Sequence, residues 1–244
     1  MGVFFVYILK ASVCLALFYL CYRVGLSKET FHRFNRITLL SLMVFSFLLP
    51  LVEVTVKGVP EVSQPFFSLE ESMQAVVMES GHDSDETSVH FPWKALMLQV
   101  YVSGILFFLL RYVWSMGRMF CLLRTCREEE WEGGITLYVH RKKVAPFSWM
   151  KMMVISEEDL AKNGMAILAH ERAHILNGHS WDLLLMQVCI LLQWFNPAVW
   201  LLKQELQTVH EYEADKWVVG QGIDAKAYQR SIIESVVGTR RFSI

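Results

Sequence analysis

The sequence predicts a mainly α membrane protein: three transmembrane helices, then an inner domain holding a small β-sheet and a helical hairpin that dips into the membrane. Three observations carry this expectation. The 244 residues are 54% apolar with a formal net charge of -1 and a positive mean hydropathy, greasier than a soluble domain. Three apolar runs are long enough to cross about 30 Å of hydrocarbon. A fourth, over positions 183 to 202, is interrupted by Asn196-Pro197. The balanced charge offers no broad basic surface, which argues against direct nucleic-acid binding. The five cysteines, at 14, 21, 121, 126 and 189, are an odd number mostly in apolar surroundings, so they read as reduced packing residues rather than a disulfide framework.

Positions 1 to 53 are expected to form two transmembrane helices joined by a basic loop. The first apolar run, residues 3 to 21, is interrupted only by Lys10, which reads as snorkelling or pairing with a neighbouring helix. No basic region precedes it and no small-residue cleavage site follows, so it reads as a retained helix rather than a signal peptide. Arg23, Lys28, His32, Arg33 and Arg36 fill the loop, and a second span runs from Ile37 to about Val52. Positions 54 to 93 carry Glu61, Glu70, Glu71, Glu79, Asp83, Asp85 and Glu86 against the single Lys57, which reads as an acidic extracytoplasmic loop. A third transmembrane helix is expected within 94 to 115, covering Ala95 to Trp114, with Arg111 near its inner end. Arg118, Arg124, Arg127, Arg141, Lys142 and Lys143 follow. Basic loops stay inside, so the N-terminus is expected outside and positions 116 to 244 in the cytoplasm.

Within that inner domain, Glu128 to Glu132 with Gly133-Gly134 reads as a turn, and two strands are expected at Ile135 to His140 and Val144 to Ile155. Ser156-Glu157-Glu158-Asp159 resembles a capping box opening a short helix that stops at Asn163-Gly164. The next helix, Met165 to Asn177, carries His170-Glu171-Arg172-Ala173-His174. Residues four apart share a helix face, so both imidazoles can reach one metal ion. Glu171 projects beside that face, placed to take a proton from a water whose pKa zinc lowers to about 7. A catalytic zinc site needs a third protein ligand and an open position, and Glu211-Tyr212-Glu213-Ala214-Asp215 offers further acids on an apparent helix. A strand beside the motif helix could pair with an extended peptide and present its amide to the metal; an ordinary sheet packing on the helix is the plainer reading.

The H-E-x-x-H at 170 to 174, Glu211 and Asp215 as E-x-x-x-D, Trp194-Phe195-Asn196-Pro197 between them and Val144-Ala145-Pro146-Phe147-Ser148 upstream together resemble the M56 peptidases, the BlaR1/MecR1 antirepressor family. The resemblance spans nearly the whole chain. It implies a gluzincin-like zinc domain in a bacterial inner-membrane metalloprotease, with His170, His174 and Glu211 binding Zn2+, Glu171 the general base and acid, and Asp215 orienting a ligand imidazole. It also implies signal transduction by cleavage of a cytoplasmic protein, a transcriptional repressor in the family, or of the protease itself. Relatives that sense β-lactams add a further helix and an extracytoplasmic sensor domain; neither follows within these residues, as expected of a truncated chain or a bare protease domain.

Other readings stay open. His179 lies five residues after His174, which does not match the six-residue metzincin spacing; with Asp182 it can shape the site or cap the next helix, and His210 can stabilise an oxyanion, unless each is simply a polar residue at a helix end. A non-catalytic zinc-containing transducer would need a side chain such as His179 in the fourth coordination position. A quality-control or prenyl-processing protease of the Ste24/HtpX kind shares the same two motifs.

The apolar stretch at 183 to 202 decides the topology. As a fourth span it would carry Glu211 about 30 Å from the histidines. Asn196-Pro197 reads as a reversal instead, because proline lacks an N–H and disfavours a helical residue before it. Trp181 to Phe195 and Ala198 to Glu211 then become arms of about 22 and about 21 Å at 1.5 Å per residue. This hairpin, within positions 181 to 219, returns Glu211 to the level of the motif helix.

Overall fold

The computed structural model describes residues 2–26, 30–52 and 93–221. The acidic loop expected at 54 to 93 lies, apart from Trp93, outside the described residues. Three helices are long and apolar enough to cross a membrane: α1 (Gly2–Gly25), α2 (His32–Leu48, extended by a 3-10 turn to Leu51) and α3 (Trp93–Leu123). Each extends beyond the limits expected from hydropathy, α3 continuing from Trp114 to Leu123, since polar and basic residues at a span's end still favour helix. Lipid-facing character shows in the exposed Leu9, Val13, Leu17, Phe107, Leu110 and Val113.

A four-stranded sheet follows, ordered β1-β2-β4-β3, with β1 (Arg127–Trp131), β2 (Ile135–His140), β3 (Phe147–Trp149) and β4 (Met152–Ser156). The turn expected at Glu128 to Glu132 is therefore mostly strand. Arg127–Trp131 pairs antiparallel with β2, and an outer strand tolerates consecutive charges that a central one would not. The reversal is confined to Glu132-Gly133-Gly134, where both glycines take positive φ, a conformation that costs other residues more. The single strand expected at Val144 to Ile155 is instead a tight hairpin. Met150 adopts φ 53°, and its amide donates to Ser180 Oγ at 2.9 Å. β2 and β4 run parallel, and Ile135, Leu137, Val139, Met153 and Ile155 form a core against Leu168 of the next helix.

That helix, α4, runs from Glu157 to Leu176 and is capped by Ser156, whose hydroxyl accepts from the Asp159 amide. The break expected at Asn163-Gly164 is present as a kink, where Asn163 leaves helical geometry at φ -136°, ψ 28° between two helical segments. Gly178, in the left-handed region, ends the turn after α4 and starts α5 (His179–Leu192), and the two axes differ by 59°. α6 (Pro197–Gly220) completes the hairpin, with Asn196 Oδ1 accepting from the Ala198 amide at 3.0 Å and Pro197 at the first helical position.

The hairpin packs back among the long helices. Met186, Cys189 and Ile190 of α5 and Val199, Leu202, Leu206 and Val209 of α6 share one buried cluster with Leu15 and Tyr22 of α1 and Leu39 and Met43 of α2. Its tip meets α1 near its middle and α3 in its first half: Asn196 Nδ2 donates to Ser12 O at 3.1 Å, Gln193 Nε2 to Ile8 O at 3.3 Å, and Tyr101 Oη to Leu192 O at 2.9 Å. Gly104 lies so close to the Trp194 ring that a Cβ there would meet it at 2.3 Å. Asn196 thus serves as cap and tether together. Asn196→Ala should destabilise the protein by about 1–3 kcal/mol, from a lost cap and a lost buried hydrogen bond; thermal unfolding in detergent should show a lower midpoint, and an unchanged one would mean that the turn is held by packing alone.

Candidate metal centre

α4 and α6 cross so that the motif face of one meets Glu211 of the other. His170 Nε2 is 3.3 Å from Glu211 Oε2, His174 Nε2 is 3.8 Å from Glu211 Oε1, and the two Nε2 atoms are 3.1 Å apart. The three donor atoms lie within 4.8 Å of one another. Ligand bonds of about 2.0–2.2 Å at tetrahedral angles put donors about 3.3–3.6 Å apart, so the two imidazoles and one Glu211 oxygen can hold a zinc-sized ion once they close in by about 1 Å. The chain reversal is what brings Glu211 here.

The outer ring nitrogens explain why both Nε2 atoms turn inwards. Asp215, one turn beyond Glu211, has Oδ1 3.2 Å from His170 Nδ1. A carboxylate only accepts, so His170 carries its outer proton on Nδ1 and directs Nε2 to the cluster. His174 Nδ1 faces His179 Nδ1 at 2.7 Å, and His179 Nε2 faces Glu213 Oε2 at 3.0 Å. Glu213 makes His179 a donor through Nε2 and an acceptor through Nδ1, which leaves His174 with its proton on Nδ1. Two inward lone pairs 3.1 Å apart need a cation between them, a proton or a metal ion. The electrostatics agree. Burial opposes protonation of His170, but the Asp215 and Glu211 carboxylates outweigh it and hold its pKa up at about 9. Burial and the neighbouring His170 push His174 down to about 4. Glu211 is lowered by its hydrogen bond to His170 against the effect of burial.

Glu171 is buried beside this cluster. Burial raises its pKa, partly offset by the Ser148 hydroxyl and by His170. Both flank a cavity of about 780 Å³ that reaches Pro146, Phe147 and Ile167 as well as the metal-site residues. Among the described residues β3 is an outer strand of the sheet, paired with β4, and it supplies Phe147 and Ser148 to the cavity wall.

The chain matches the family model described as BlaR1 peptidase M56 over residues 4–244. The chain belongs to the M56 peptidases. A search of curated proteins gives no match. M56 peptidases are metalloproteases, and the His170, His174 and Glu211 group has the donor chemistry for a metal.

The other polar candidates occupy distinct places. His179 is engaged at both ring nitrogens by His174 and Glu213. His210 directs Nε2 to Asp182 Oδ2 at 2.8 Å and stacks on His179 at a centroid distance of 4.0 Å. Neither caps a helix by its side chain. Ser148 appeared in the sequence only within the family-like Val144 to Ser148 stretch and Arg36 only as a loop cation, since strand register and inter-helix packing are what bring them to the site. Asp215→Asn should weaken Zn2+ binding about 10–100-fold, because an amide no longer enforces the His170 tautomer; competition against a chromogenic chelator measures it, and wild-type affinity would exclude that orienting role.

Proposed function

We propose that this M56 peptidase is a membrane-embedded zinc endopeptidase of the gluzincin type whose active site faces the cytoplasm. The observation that carries the reading is the convergence of His170, His174 and Glu211 on one point, with Glu171 beside it in an open cavity. His170, His174 and Glu211 hold the ion, and Asp215 orients His170. Bound zinc supplies Lewis acidity, polarising an amide carbonyl and acidifying water. Glu171 accepts a proton from the attacking water at its carboxylate and passes it to the departing amide nitrogen. Its raised pKa suits a group that takes and then returns a proton near neutral pH. The edge of β3 that no described strand occupies can pair with an extended stretch of substrate, so main chain rather than side chain is recognised.

Engagement of both His179 nitrogens disfavours a fourth protein ligand, and with it a purely structural zinc in a non-catalytic transducer. Topology rests on charge. Arg23 at the end of α1 pairs with Glu205, and Arg36 at the start of α2 with Asp182 and Glu213, so the first basic loop and the metal centre share one end of the helices. The positive-inside rule makes that end cytoplasmic, at a bacterial inner membrane. The substrate is then a cytoplasmic protein, such as a transcriptional repressor, or the protease itself, and cleavage transduces a signal. Membrane lipid surrounds the three spans and the dipping hairpin.

Purified protein in detergent should hold about one zinc per chain and cleave members of a quenched fluorescent peptide library. Glu171→Ala should keep the zinc and slow cleavage about 10²–10⁴-fold; full proteolysis by this variant would remove the enzyme assignment. Topology is checked separately. In a background without native cysteines, a cysteine at Ser84 should react with an impermeant thiol reagent on intact cells and one at Lys142 should not, while reporter fusions at Gly178 and Gly220 should report the same side. Opposite sides for the two fusions would defeat the hairpin.

A further inference from the structure

Arg36 has no part in the chemistry above, yet it is largely buried and fully engaged. It lies in the second turn of α2. Its Nε donates to Asp182 Oδ2 at 2.6 Å, Nη1 to Glu213 Oε2 at 3.2 Å and Nη2 to the Asn177 carbonyl at 2.7 Å. One guanidinium therefore touches the end of the motif helix, the base of α5 and the far part of α6. A lysine could not reproduce this planar fork.

Glu213 leads from Arg36 to the metal centre. Its Oε2 receives both Arg36 and His179, while its Oε1 is buried with no hydrogen-bond partner among the described residues. Arg36 and His179 are thus what offset its charge, at a side-chain exposure of only 9%. His179, 3% exposed, accepts from His174 Nδ1, and that contact fixes which nitrogen of His174 points at Glu211 and His170. Water has little access to replace any step.

We propose that Arg36 is a positioning residue for the metal centre: it fixes Glu213, which through His179 sets the ring orientation and tautomer of His174. Each ligand histidine then has its own support, Asp215 for His170 and the chain of His179, Glu213 and Arg36 for His174. The second candidate span thereby reaches the metal centre through side chains, so the placement of α2 bears on how tightly metal is held. This inference rests on the metal-site reading above.

Co2+ binding to the purified full-length protein, followed by the visible absorption of the four-coordinate ion, tests it. Arg36→Gln and Glu213→Gln should each weaken Co2+ binding about 10–100-fold, and the double variant should be no weaker than the more affected single one, because the two act in series. Glu205→Gln removes the ion pair that Arg23 makes at the same end of the helices, outside the chain to His174, and should change binding by less than about threefold. Glu213→Gln replaces a charge by a neutral group of the same shape and serves where Arg36→Gln does not fold, as judged by thermal unfolding. Wild-type Co2+ binding in Glu213→Gln, or an equal loss in Glu205→Gln, would overturn the proposal and reduce Arg36 to a clamp on helix ends. His170→Ala separates the two levels: if it keeps Co2+, the metal-site reading itself fails, whereas if it loses Co2+ while Glu213→Gln binds normally, only the role of Arg36 fails.

Discussion

A straight helix through positions 183 to 202 would leave Glu211 about 30 Å from His170 and His174, so the site depends on the reversal at Asn196-Pro197. The reversal needs its own support, because a helix start buried among apolar helices leaves amide donors that lipid cannot satisfy. Asn196 accepts from the Ala198 amide and Pro197 has no amide hydrogen to satisfy. The same Asn196 donates to the α1 backbone at Ser12. A polar side chain that would be costly in an apolar setting is thus fully used, and the turn is fixed in position as well as in shape.

A second constraint is electrostatic. Arg36, Asp182, Glu213, His179 and His210 gather in a space that is mostly closed to water. Desolvation of such groups costs more than a loose pairing returns. Here the pairings are short and several: burial alone would raise the pKa of Asp182 and Glu213, yet both are lowered, Asp182 by His210 and Arg36 and Glu213 by His179 and Arg36. The two carboxylates keep their charge. That charge matters because only an ionised Glu213 is an acceptor alone, and only then is the proton on His179 assigned to Nε2. Charge pairing at the base of the hairpin and orientation of a metal ligand are therefore one arrangement.

Much of this could be read from pattern. Long apolar runs marked α1, α2 and α3, alternating burial matched β2, and the i, i+4 histidines with Glu211 and Asp215 one turn apart were visible as helical spacing. What failed was local and physical. Glu128 to Glu130 have the composition of a turn, but an outer strand accepts it. Val144 to Ile155 reads as one extended run, and only the Ser180 hydroxyl under the Met150 amide reveals the bend. The helix break read at Asn163-Gly164 did hold, as non-helical backbone at Asn163, with Leu160 and Ile167 on either side of it packed against the sheet. Arg36 read as one of several loop cations, because nothing local distinguishes a solvated arginine from one that meets Asp182 and Glu213 across the fold.

In the proposed topology the depth of the site follows from helix length. The hairpin tip contacts α1 at Ile8 and Ser12 and α3 at Tyr101 and Gly104, near the middle of the first and in the first half of the second. α5 has 14 residues, about 21 Å at 1.5 Å per residue, while half of the hydrocarbon core is about 15 Å. With the tip at the bilayer midplane and α5 along the membrane normal, its base at His179 would lie about 6 Å past the hydrocarbon, among the headgroups. Trp181, exposed at this level, is the kind of side chain that favours the interface. The same depth accounts for the company kept there: Arg36, Asp182 and His179 would be prohibitively placed a few turns deeper, and at the headgroup level they need only one another. A peptide reaching the cavity would then run along the membrane surface, past the edge of β3 that no described strand occupies.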